Sequence, residues 1–487
     1  MQAMTALQNP RIVLAVSAFL LLVAAVFYAV VPLTTDVSYF VMSAERMLAG
    51  DKPYVDILET NPPLAFWFTL VPVALARITG ISPQVAYVLG MCGLIGLMLL
   101  VVWRVGRDAA DRGLMVAAIA VALVLSPHQG FGQREHFTAI LLAPYLASVM
   151  WRGQGHAIPP GLALLTGALA GVGLCFKPLF LLFPLVAEAW LWRAADRPRD
   201  IIRLQTVVMA VPVLIYPLLV WWATPEYYSV VVPLALKTYG AYQQPLLAVV
   251  LSSAVVSFAM LFGLSVLIYR QTAARVESLW LAAALAGLAI FIIQAKGWSY
   301  QLVPGHAFAV VALVRLAAPA APSLLRRVAV AMAAVIFISN NFAFASLQRE
   351  LLANGDTVFA GGPKPKVLLA MTYDNGIMFP YAQQRGIAWG SSFPALWMMT
   401  AVAKQQVTGA EAAEVTQFAA RRVAADLDRY KPDQVMVDSR WDTVTLAGHK
   451  VDYLQLFGTV PEFQAAWQTY RLLRDGGTFQ VYARGGK

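Results

Sequence analysis

The feature that most constrains the fold is a series of twelve apolar runs, each about 15 to 25 residues long. An α-helix rises 1.5 Å per residue, so roughly 20 such residues cross the ~30 Å hydrocarbon core of a bilayer. Charged residues make up 13% of the 487 residues, against roughly 25% in soluble domains. A soluble protein of this composition would lack a water-compatible surface. The sequence therefore predicts an all-α polytopic membrane protein.

The topology depends on whether the run at 62–79 spans the membrane, because it opens with Pro62-Pro63 and is interrupted by Pro72. If this run lies in the interface, 14 basic residues, including four arginines between 193 and 203, fall on one side of the membrane. Cytoplasmic loops carry such an excess. We therefore predict about eleven spanning helices in a bacterial inner membrane, with a cytoplasmic N-terminus and a periplasmic C-terminal region. The runs are 12–33, 62–79, 83–103, 113–127, 136–151, 160–176, 178–192, 204–223, 245–269, 277–294, 300–317 and 326–346.

The composition changes after Arg349. Short apolar segments at Lys366–Thr372, Gln434–Asp438 and Phe479–Arg484 have the pattern of strands, and Ala410–Tyr430 has apolar residues at helical spacing. We predict a transmembrane catalytic domain over residues 1–349 and a periplasmic α/β domain over residues 350–487.

Charge and cysteine content exclude several other classes. Residues 1–349 hold 22 Lys and Arg against 13 Asp and Glu, a balance of +9, whereas residues 350–487 hold 14 against 13. The excess therefore belongs to the membrane region, where topology explains it better than nucleic acid does. Cys92 and Cys175 both lie in apolar runs and indicate neither a disulfide framework nor a zinc site. No G-x-x-x-x-G-K-[ST] motif occurs, which argues against an ATP-driven pump.

The first outer loop, Thr34 to Asn61, carries Asp36 directly after the first apolar run. The stretch 38–48 that follows is amphipathic, with apolar residues on one face, so it can lie along the membrane surface. Asp36 can cap this helix, with Thr35 as a rival cap, or it can act in chemistry, and a carboxylate can do both. The sequence alone leaves these alternatives open.

The order of residues in this loop resembles that of a known family. Asp36 and the amphipathic stretch are followed by Met47-Leu48-Ala49-Gly50, Lys52-Pro53-Tyr54-Val55-Asp56, Glu59-Thr60-Asn61-Pro62-Pro63-Leu64 and Trp67. The pattern is similar to the first outer loop of polyprenyl-phosphate-sugar-dependent glycosyltransferases of the GT-C fold. It is most similar to the family-39-like enzymes, which include protein O-mannosyltransferases and the lipid A aminoarabinose transferase. The resemblance implies two helices lying on the membrane in this loop.

The resemblance also implies a mechanism. Asp36 matches the position of the family's catalytic acidic residue, which acts as general base in a single, inverting displacement. Relatives tend to have His or Lys before Pro-Pro-Leu, whereas this chain has Asn61. This departure leaves the sugar and the acceptor open. Glu59 is a second catalytic candidate or a cap of the helix that follows Pro62 and Pro63.

Transfer from a lipid phosphate also requires cations that stabilise the leaving anion. Arg134, Lys177 and Lys296 each stand between apolar runs at the predicted outer face, and we predict that they bind the donor phosphate. The structural alternatives are an interfacial anchor at Arg134, a lysine that snorkels to the interface at Lys177, and a neighbouring aromatic belt at Trp298 and Tyr300.

Further polar residues at this face are predicted to contact the substrates. They are Tyr54, Gln133, Glu135, His136, Lys237 and Tyr300. No ligand spacing supports a metal site, although a divalent metal remains possible. The expected partners are a polyprenyl-phosphate sugar, membrane lipids and a glycan, lipid or protein acceptor, and we expect no nucleic acid.

The main alternative function is a transporter or flippase of lipid-linked sugars. Such proteins typically show repeated halves and charges near the middle of the bilayer. The sequence contains no evident repeat, and its polar residues lie at the predicted outer rim. A non-catalytic assembly subunit is a third alternative, which leaves these outer charges unexplained.

Overall fold

The computed structural model describes residues 9–194, 203–272, 275–318, 323–441 and 443–485, so Arg197 and Arg199 of the predicted cytoplasmic group lie outside the described residues. The helices are α1 Pro10–Val30, α2 Thr35–Leu48, α3 Leu64–Thr79, α4 Pro83–Val105, α5 Arg112–Leu125, α6 Arg134–Gly153, α7 Pro160–Leu174, α8 Leu182–Ala194, α9 Leu204–Ala223, α10 Val232–Thr238, α11 Leu246–Val250, α12 Ser253–Tyr269, α13 Ser278–Gln294, α14 Val303–Ala317, α15 Leu324–Val358, α16 Tyr381–Arg385, α17 Met399–Ala403, α18 Gly409–Tyr430, α19 Tyr453–Phe457 and α20 Pro461–Trp467. The strands are β1 Val367–Met371, β2 Ala388–Trp389, β3 Gln434–Asp438, β4 Tyr470–Asp475 and β5 Phe479–Arg484.

The long helices follow the apolar runs. Eleven helices, α1, α4 to α9 and α12 to α15, overlap the eleven runs that were predicted to span the membrane, and α15 extends twelve residues past its run, to Val358. Within the described residues, six helical segments are long and apolar enough to cross a membrane, judged by length and composition: α1, α4, α9, α15, and α13 and α14 together with the 3-10 turns that precede them, Arg275–Gln294 and Ser299–Ala317. The chain is a multi-pass membrane protein with a small C-terminal sheet, which confirms the predicted fold class.

The chain forms two compact units. The first, which we call the helical unit, comprises Met1–Val31, Val85–Leu219 and Gln244–Ala345. The second, which we call the composite unit, comprises Pro32–Gln84, Val220–Gln243 and Ser346–Lys487. The first outer loop, with α2 and α3, is thus part of the same compact body as the C-terminal sheet. The functional division into residues 1–349 and 350–487 stays a prediction.

Close packing in the helical unit brings α13 and α14 together. A Cβ atom on Gly287 of α13 would lie 2.5 Å from the Cα atom of Gly305 in α14. Only glycine permits two helix backbones to approach this closely, as is common between membrane helices. The contact fixes the short connection between α13 and α14, which carries Lys296 and Tyr300.

A buried ion cluster lies at the start of α13 and the end of α14, away from the connection between the two helices. Arg315, near the end of α14, donates hydrogen bonds to both carboxylate oxygens of Glu277 at 2.7 and 2.8 Å and to Asp111 at 2.8 Å. Only 2% of the Arg315 side chain is exposed. Because Glu277 directly precedes α13 and Lys296 follows it, the two charged groups lie at opposite ends of this helix.

The composite unit is built on a five-stranded sheet in the order β2-β1-β3-β5-β4. Strands β2, β1 and β3 are parallel, whereas β5 runs antiparallel to both β3 and β4. The three predicted strands and the predicted helix, which is α18, are present with nearly the predicted bounds. Strands β2 and β4 were not predicted from the sequence.

The first outer loop packs on this sheet domain through Arg46 of α2. Its guanidinium donates to the Ser391 carbonyl at 2.6 Å, to the Tyr430 hydroxyl at 2.6 Å and to Asp51 at 2.7 Å. The Leu58 amide adds a backbone hydrogen bond of 2.6 Å to the C-terminal region. These contacts explain why the loop and the C-terminal residues form one unit although 345 residues separate Arg46 from Ser391 in sequence.

Candidate functional site

A cluster of charged side chains lies where four elements of the helical unit end or begin. Arg134 is the first residue of α6, and Lys177 stands between α7 and the 3-10 helix Pro178–Leu181. Lys296 follows α13, and Tyr300 lies in the 3-10 turn that precedes α14. The helix ends place these residues, because each of them stands at a break between two apolar segments.

Glu135 lies within this cluster. Its fully buried carboxylate accepts a hydrogen bond from Lys177 Nζ, and the Nε of Arg134 lies 3.9 Å from it. Lys177 Nζ also donates to Gln294 Oε1 at 3.0 Å, which joins the connection after α7 to the end of α13. The cluster contains three cations and one carboxylate, so it carries an excess of positive charge that suits a phosphate ligand.

Aromatic rings border the same cations. The guanidinium carbon of Arg134 lies 5.8 Å from the Tyr300 ring centroid, and Lys177 Nζ lies 6.0 Å from it. Lys296 Nζ lies 4.9 Å from the Trp298 ring, which stacks on Tyr300 at 6.0 Å between centroids. These distances are in the range of cation–π attraction. The proposed aromatic belt and the cation site are therefore the same group of residues.

Lys296 has an altered acidity. Burial lowers its pKa to about 7, and the positive charges of Lys177 and Arg134 lower it in the same direction. Each of these factors disfavours the charged ammonium, whereas a bound anion would favour it. Lys296 is therefore the cation of this cluster whose charge depends on pH near neutrality.

Asp36 lies in the composite unit, in the first turn of α2. The cap position of this helix belongs to Thr34, whose side chain makes no capping hydrogen bond. The Asp36 carboxylate instead accepts a hydrogen bond of 3.0 Å from the side-chain amide of Asn375, in the loop after β1. Thr35, the rival cap, donates to the Phe379 carbonyl in the same loop at 3.1 Å. The C-terminal domain therefore holds the start of α2 at two successive residues.

Glu59 and Tyr54 shape the first outer loop. Glu59 Oε1 accepts hydrogen bonds from the Thr60 hydroxyl at 2.9 Å and from the Asn61 side-chain amide at 2.7 Å. Tyr54 is fully buried, has a positive φ of 64° and donates to the Asn61 carbonyl at 2.6 Å. Both residues fix the conformation around Asn61. This geometry favours a structural role for Tyr54, and catalysis by Glu59 stays a prediction.

Gln133 and His136 hold the turn that leads into α6. Both are buried, and Gln133 occupies the cap position of the helix. One His136 ring nitrogen pairs with the Gly132 amide at 3.2 Å, and the other pairs with the Leu123 carbonyl at 2.9 Å. With both ring nitrogens bonded to the backbone, His136 positions the turn, and the predicted substrate contact is not favoured by this geometry.

Lys237 belongs to the composite unit, on helix α10. It forms an exposed ion pair of 3.0 Å with Glu414 of α18. Lys237 stands between the apolar runs 204–223 and 245–269, and the chain around it consists of a π-helical turn at Tyr227–Val231, α10 and a 3-10 turn at Tyr239–Tyr242. The ion pair accounts for this lysine without a substrate.

Two polar residues near the candidate groups were missed in the sequence. Gln294 binds Lys177, and Asn375 binds Asp36, yet neither residue belongs to a motif.

Among the residues that the structure describes, no group of three His, Cys, Asp or Glu side chains is placed to hold a metal ion.

Comparison with known proteins identifies the fold. Neither a scan against protein-family models nor a search of curated proteins finds a match. Among solved structures, ArnT from Cupriavidus metallidurans bound to undecaprenyl phosphate matches with a TM-score of 0.54 and 17% identity. The match covers 98% of this chain and 99% of ArnT, and the apo state of ArnT gives 0.52 with the same identity and coverage. A looser likeness, with a TM-score of 0.41 and 16% identity, is to 40% of the arabinofuranosyltransferase AftD from Mycobacteria. The chain therefore has the fold of ArnT, which confirms the predicted GT-C fold.

Proposed function

We propose that this protein is a membrane glycosyltransferase that moves a sugar from a polyprenyl-phosphate donor to an acceptor hydroxyl at the periplasmic face. The proposal rests on the ArnT fold along nearly the whole chain and on the cluster of Arg134, Lys177 and Lys296. ArnT was crystallised with undecaprenyl phosphate bound, so a lipid phosphate is a ligand that this fold accommodates. The single observation that carries the proposal is the excess of positive charge in this cluster.

In the proposed reaction the three cations hold the donor phosphate. The acceptor oxygen attacks the anomeric carbon, the bond from this carbon to the phosphate oxygen breaks, and polyprenyl phosphate leaves. Arg134 and Lys177 donate hydrogen bonds to the anion, and positive charge placed where negative charge develops lowers the barrier. Glu135 limits the excess charge and orients Lys177.

Asp36 is the proposed general base. Its carboxylate takes the acceptor proton as the new bond forms, which is the role of a base in such a displacement. The hydrogen bond from Asn375 fixes the carboxylate in one orientation. A single displacement of this kind inverts the configuration at the anomeric carbon.

The test is the release of polyprenyl phosphate from a labelled polyprenyl-phosphate sugar by the purified protein, with cell-envelope extract as the acceptor source. We expect release by the unchanged protein and none by the Asp36→Asn variant, with binding of undecaprenyl phosphate retained. Glu45→Gln is the matched control, because it removes one carboxylate from the same helix. Full activity in the Asp36→Asn variant would contradict the proposed base.

A flippase for lipid-linked sugars is the second candidate, favoured by the same cation cluster. It would bind the lipid phosphate equally well but would leave the bond between sugar and phosphate intact. The same assay separates the two candidates. Transport of the labelled lipid across a reconstituted bilayer without any release would support the flippase and exclude the transferase.

A further inference from the structure

A cavity of about 500 Å³ lies in the composite unit, and its lining contains none of the candidate site residues described above. Its lining includes Asp374 and Ile377 from the loop after β1, Arg440 from the segment after β3, Arg474 and Phe479 from the β4–β5 hairpin, and Asn354 from α15. Ligand pockets typically measure about 300–1,000 Å³ and combine an apolar lining with a few polar groups. This cavity has that size and that composition.

The cavity lies at the carboxyl ends of β1 and β3, and open α/β sheets commonly bind ligands at the carboxyl ends of adjacent strands. The neighbours of β1 are β2 on one side and β3 on the other, so the chain changes direction at β1. The loops that leave the carboxyl ends of β1 and β3 therefore separate at this point and form a crevice. Asp374 and Arg440 lie on these two loops, so the cavity coincides with the topological switch point.

Hydrogen bonds and ion pairs within the protein fix the polar groups that line the cavity. Asp438, buried at the end of β3, binds Arg440 through both carboxylate oxygens, at 3.0 and 2.8 Å. Arg440 also lies 3.3 Å from Asp374 and 5.0 Å from the Phe479 ring centroid. Asp374 is itself fixed by the Gly376 amide at 2.8 Å, and 41% of its side chain is exposed.

This lining fits a carbohydrate better than a phosphate. The carboxylates of Asp374 and Asp438 offset the charges of Arg440 and Arg474, so the cavity offers little net attraction for an anion. The Asp374 carboxylate accepts hydrogen bonds, whereas the Arg440 and Arg474 guanidinium groups and the Asn354 amide donate them. Sugar hydroxyls can serve as donors and as acceptors, and Phe479 can pack against the apolar face of a sugar ring.

The same loop reaches the proposed base. Asp374 lines the cavity, and the next residue, Asn375, donates the hydrogen bond to Asp36. A ligand bound to Asp374 is thus one residue away from the group that orients the carboxylate. This connection links the occupant of the cavity to the acceptor side of the reaction.

We propose that the cavity at the switch point of the C-terminal sheet binds the carbohydrate part of the acceptor. The proposal deepens the proposed function and rests on it for the word acceptor, whereas sugar binding by the cavity can be tested by itself. Occupation of the cavity selects glycan-bearing acceptors and is communicated to Asp36 through residues 374 and 375.

The experiment uses the full chain in lipid nanodiscs and saturation-transfer NMR with methyl glycosides of glucose, galactose, mannose, arabinose, rhamnose and N-acetylglucosamine. We expect at least one glycoside to bind. Asp374→Asn should weaken it by about tenfold or more, because a hydrogen bond to a charged group is lost while the bond from Gly376 can be kept. Thr478→Trp should abolish binding by filling the cavity from the exposed hairpin turn.

Gln468→Trp is the matched control, since it adds the same ring at an exposed position outside the cavity lining. Binding that is equal in Thr478→Trp and Gln468→Trp, or the absence of binding by every glycoside in the unchanged protein, would overturn the proposal. Undecaprenyl phosphate binding is measured on the same samples and should be unaffected by all three substitutions. Its absence in the unchanged protein would refute the transferase and leave the test of the cavity intact.

Discussion

The acidity of Lys296 leads to a prediction about how donor binding depends on pH. Burial and two neighbouring positive charges lower the pKa of Lys296 to about 7. Below pH 7 the side chain is mostly the ammonium that a phosphate requires, and above pH 7 it is mostly the neutral amine. Undecaprenyl phosphate should therefore bind more weakly as the pH rises above 7.

The size of the effect follows from proton linkage. If only the protonated lysine holds the phosphate, the apparent Kd rises by one factor of ten per pH unit well above the pKa. For a pKa of about 7, the Kd should increase by about 50-fold between pH 7 and pH 9, which equals about 2.3 kcal/mol. A phosphate monoester loses its second proton near pH ~6, so its own charge changes little over this window.

The assay is titration calorimetry of undecaprenyl phosphate into the protein in nanodiscs, in buffers with different ionisation enthalpies. The unchanged protein should take up close to one proton on binding at pH 8. Lys296→Arg is the control, because a guanidinium stays charged throughout this range, and its affinity should be nearly constant from pH 7 to pH 9. An equally steep pH dependence in both proteins would refute the assignment to Lys296.

Three further predictions concern the supporting residues. Asn375→Ala should reduce kcat by about tenfold, because it removes a hydrogen bond to charged Asp36. The KM for the donor and the affinity for lipid phosphate should stay unchanged. Steady-state kinetics measure kcat and KM separately, and a change in KM alone would contradict a positioning role. Arg315→Ala should lower the free energy of unfolding by about 3–5 kcal/mol in thermal or denaturant unfolding, since it leaves Glu277 as a buried carboxylate without its partner; an unchanged stability would show that the cluster is not a structural anchor. Burial raises the pKa of Asp426 to about 6 despite hydrogen bonds from two serines. Its contribution to stability should therefore be present below pH ~4 and lost as the pH rises through about 6, and Asp426→Asn should flatten this part of the stability profile.

Much of the fold could be predicted because burial leaves a pattern in the sequence. Strand β3 was predicted with its observed bounds. All five of its residues are buried, and this burial appears in the sequence as a short apolar segment. Among the described strands, β4 is an edge strand that pairs with β5 alone, and its exposed charged residues resemble those of a surface loop. Strand β2 has two residues, too few to show any periodicity.

The cations of the candidate site could also be predicted, because an isolated charge between two apolar runs is costly and therefore noticeable. The neutral residues that bind the candidate groups could not be predicted. Asn375 is 339 residues from Asp36, and an asparagine in a loop gives no indication of its long-range partner. For the same reason the sequence suggested substrate contacts for His136 and Tyr54, whose bonds within the protein only the folded chain reveals.

The union of the first outer loop with the C-terminal sheet has a consequence for protein engineering. A chimera that exchanges only residues 346–487 with a relative would separate Arg46 and Asp36 from the carbonyl and amide groups that they bind. The exchangeable module is instead discontinuous, made of residues 32–84, 220–243 and 346–487. Grafting these three segments together should transfer acceptor preference, because they form one compact unit.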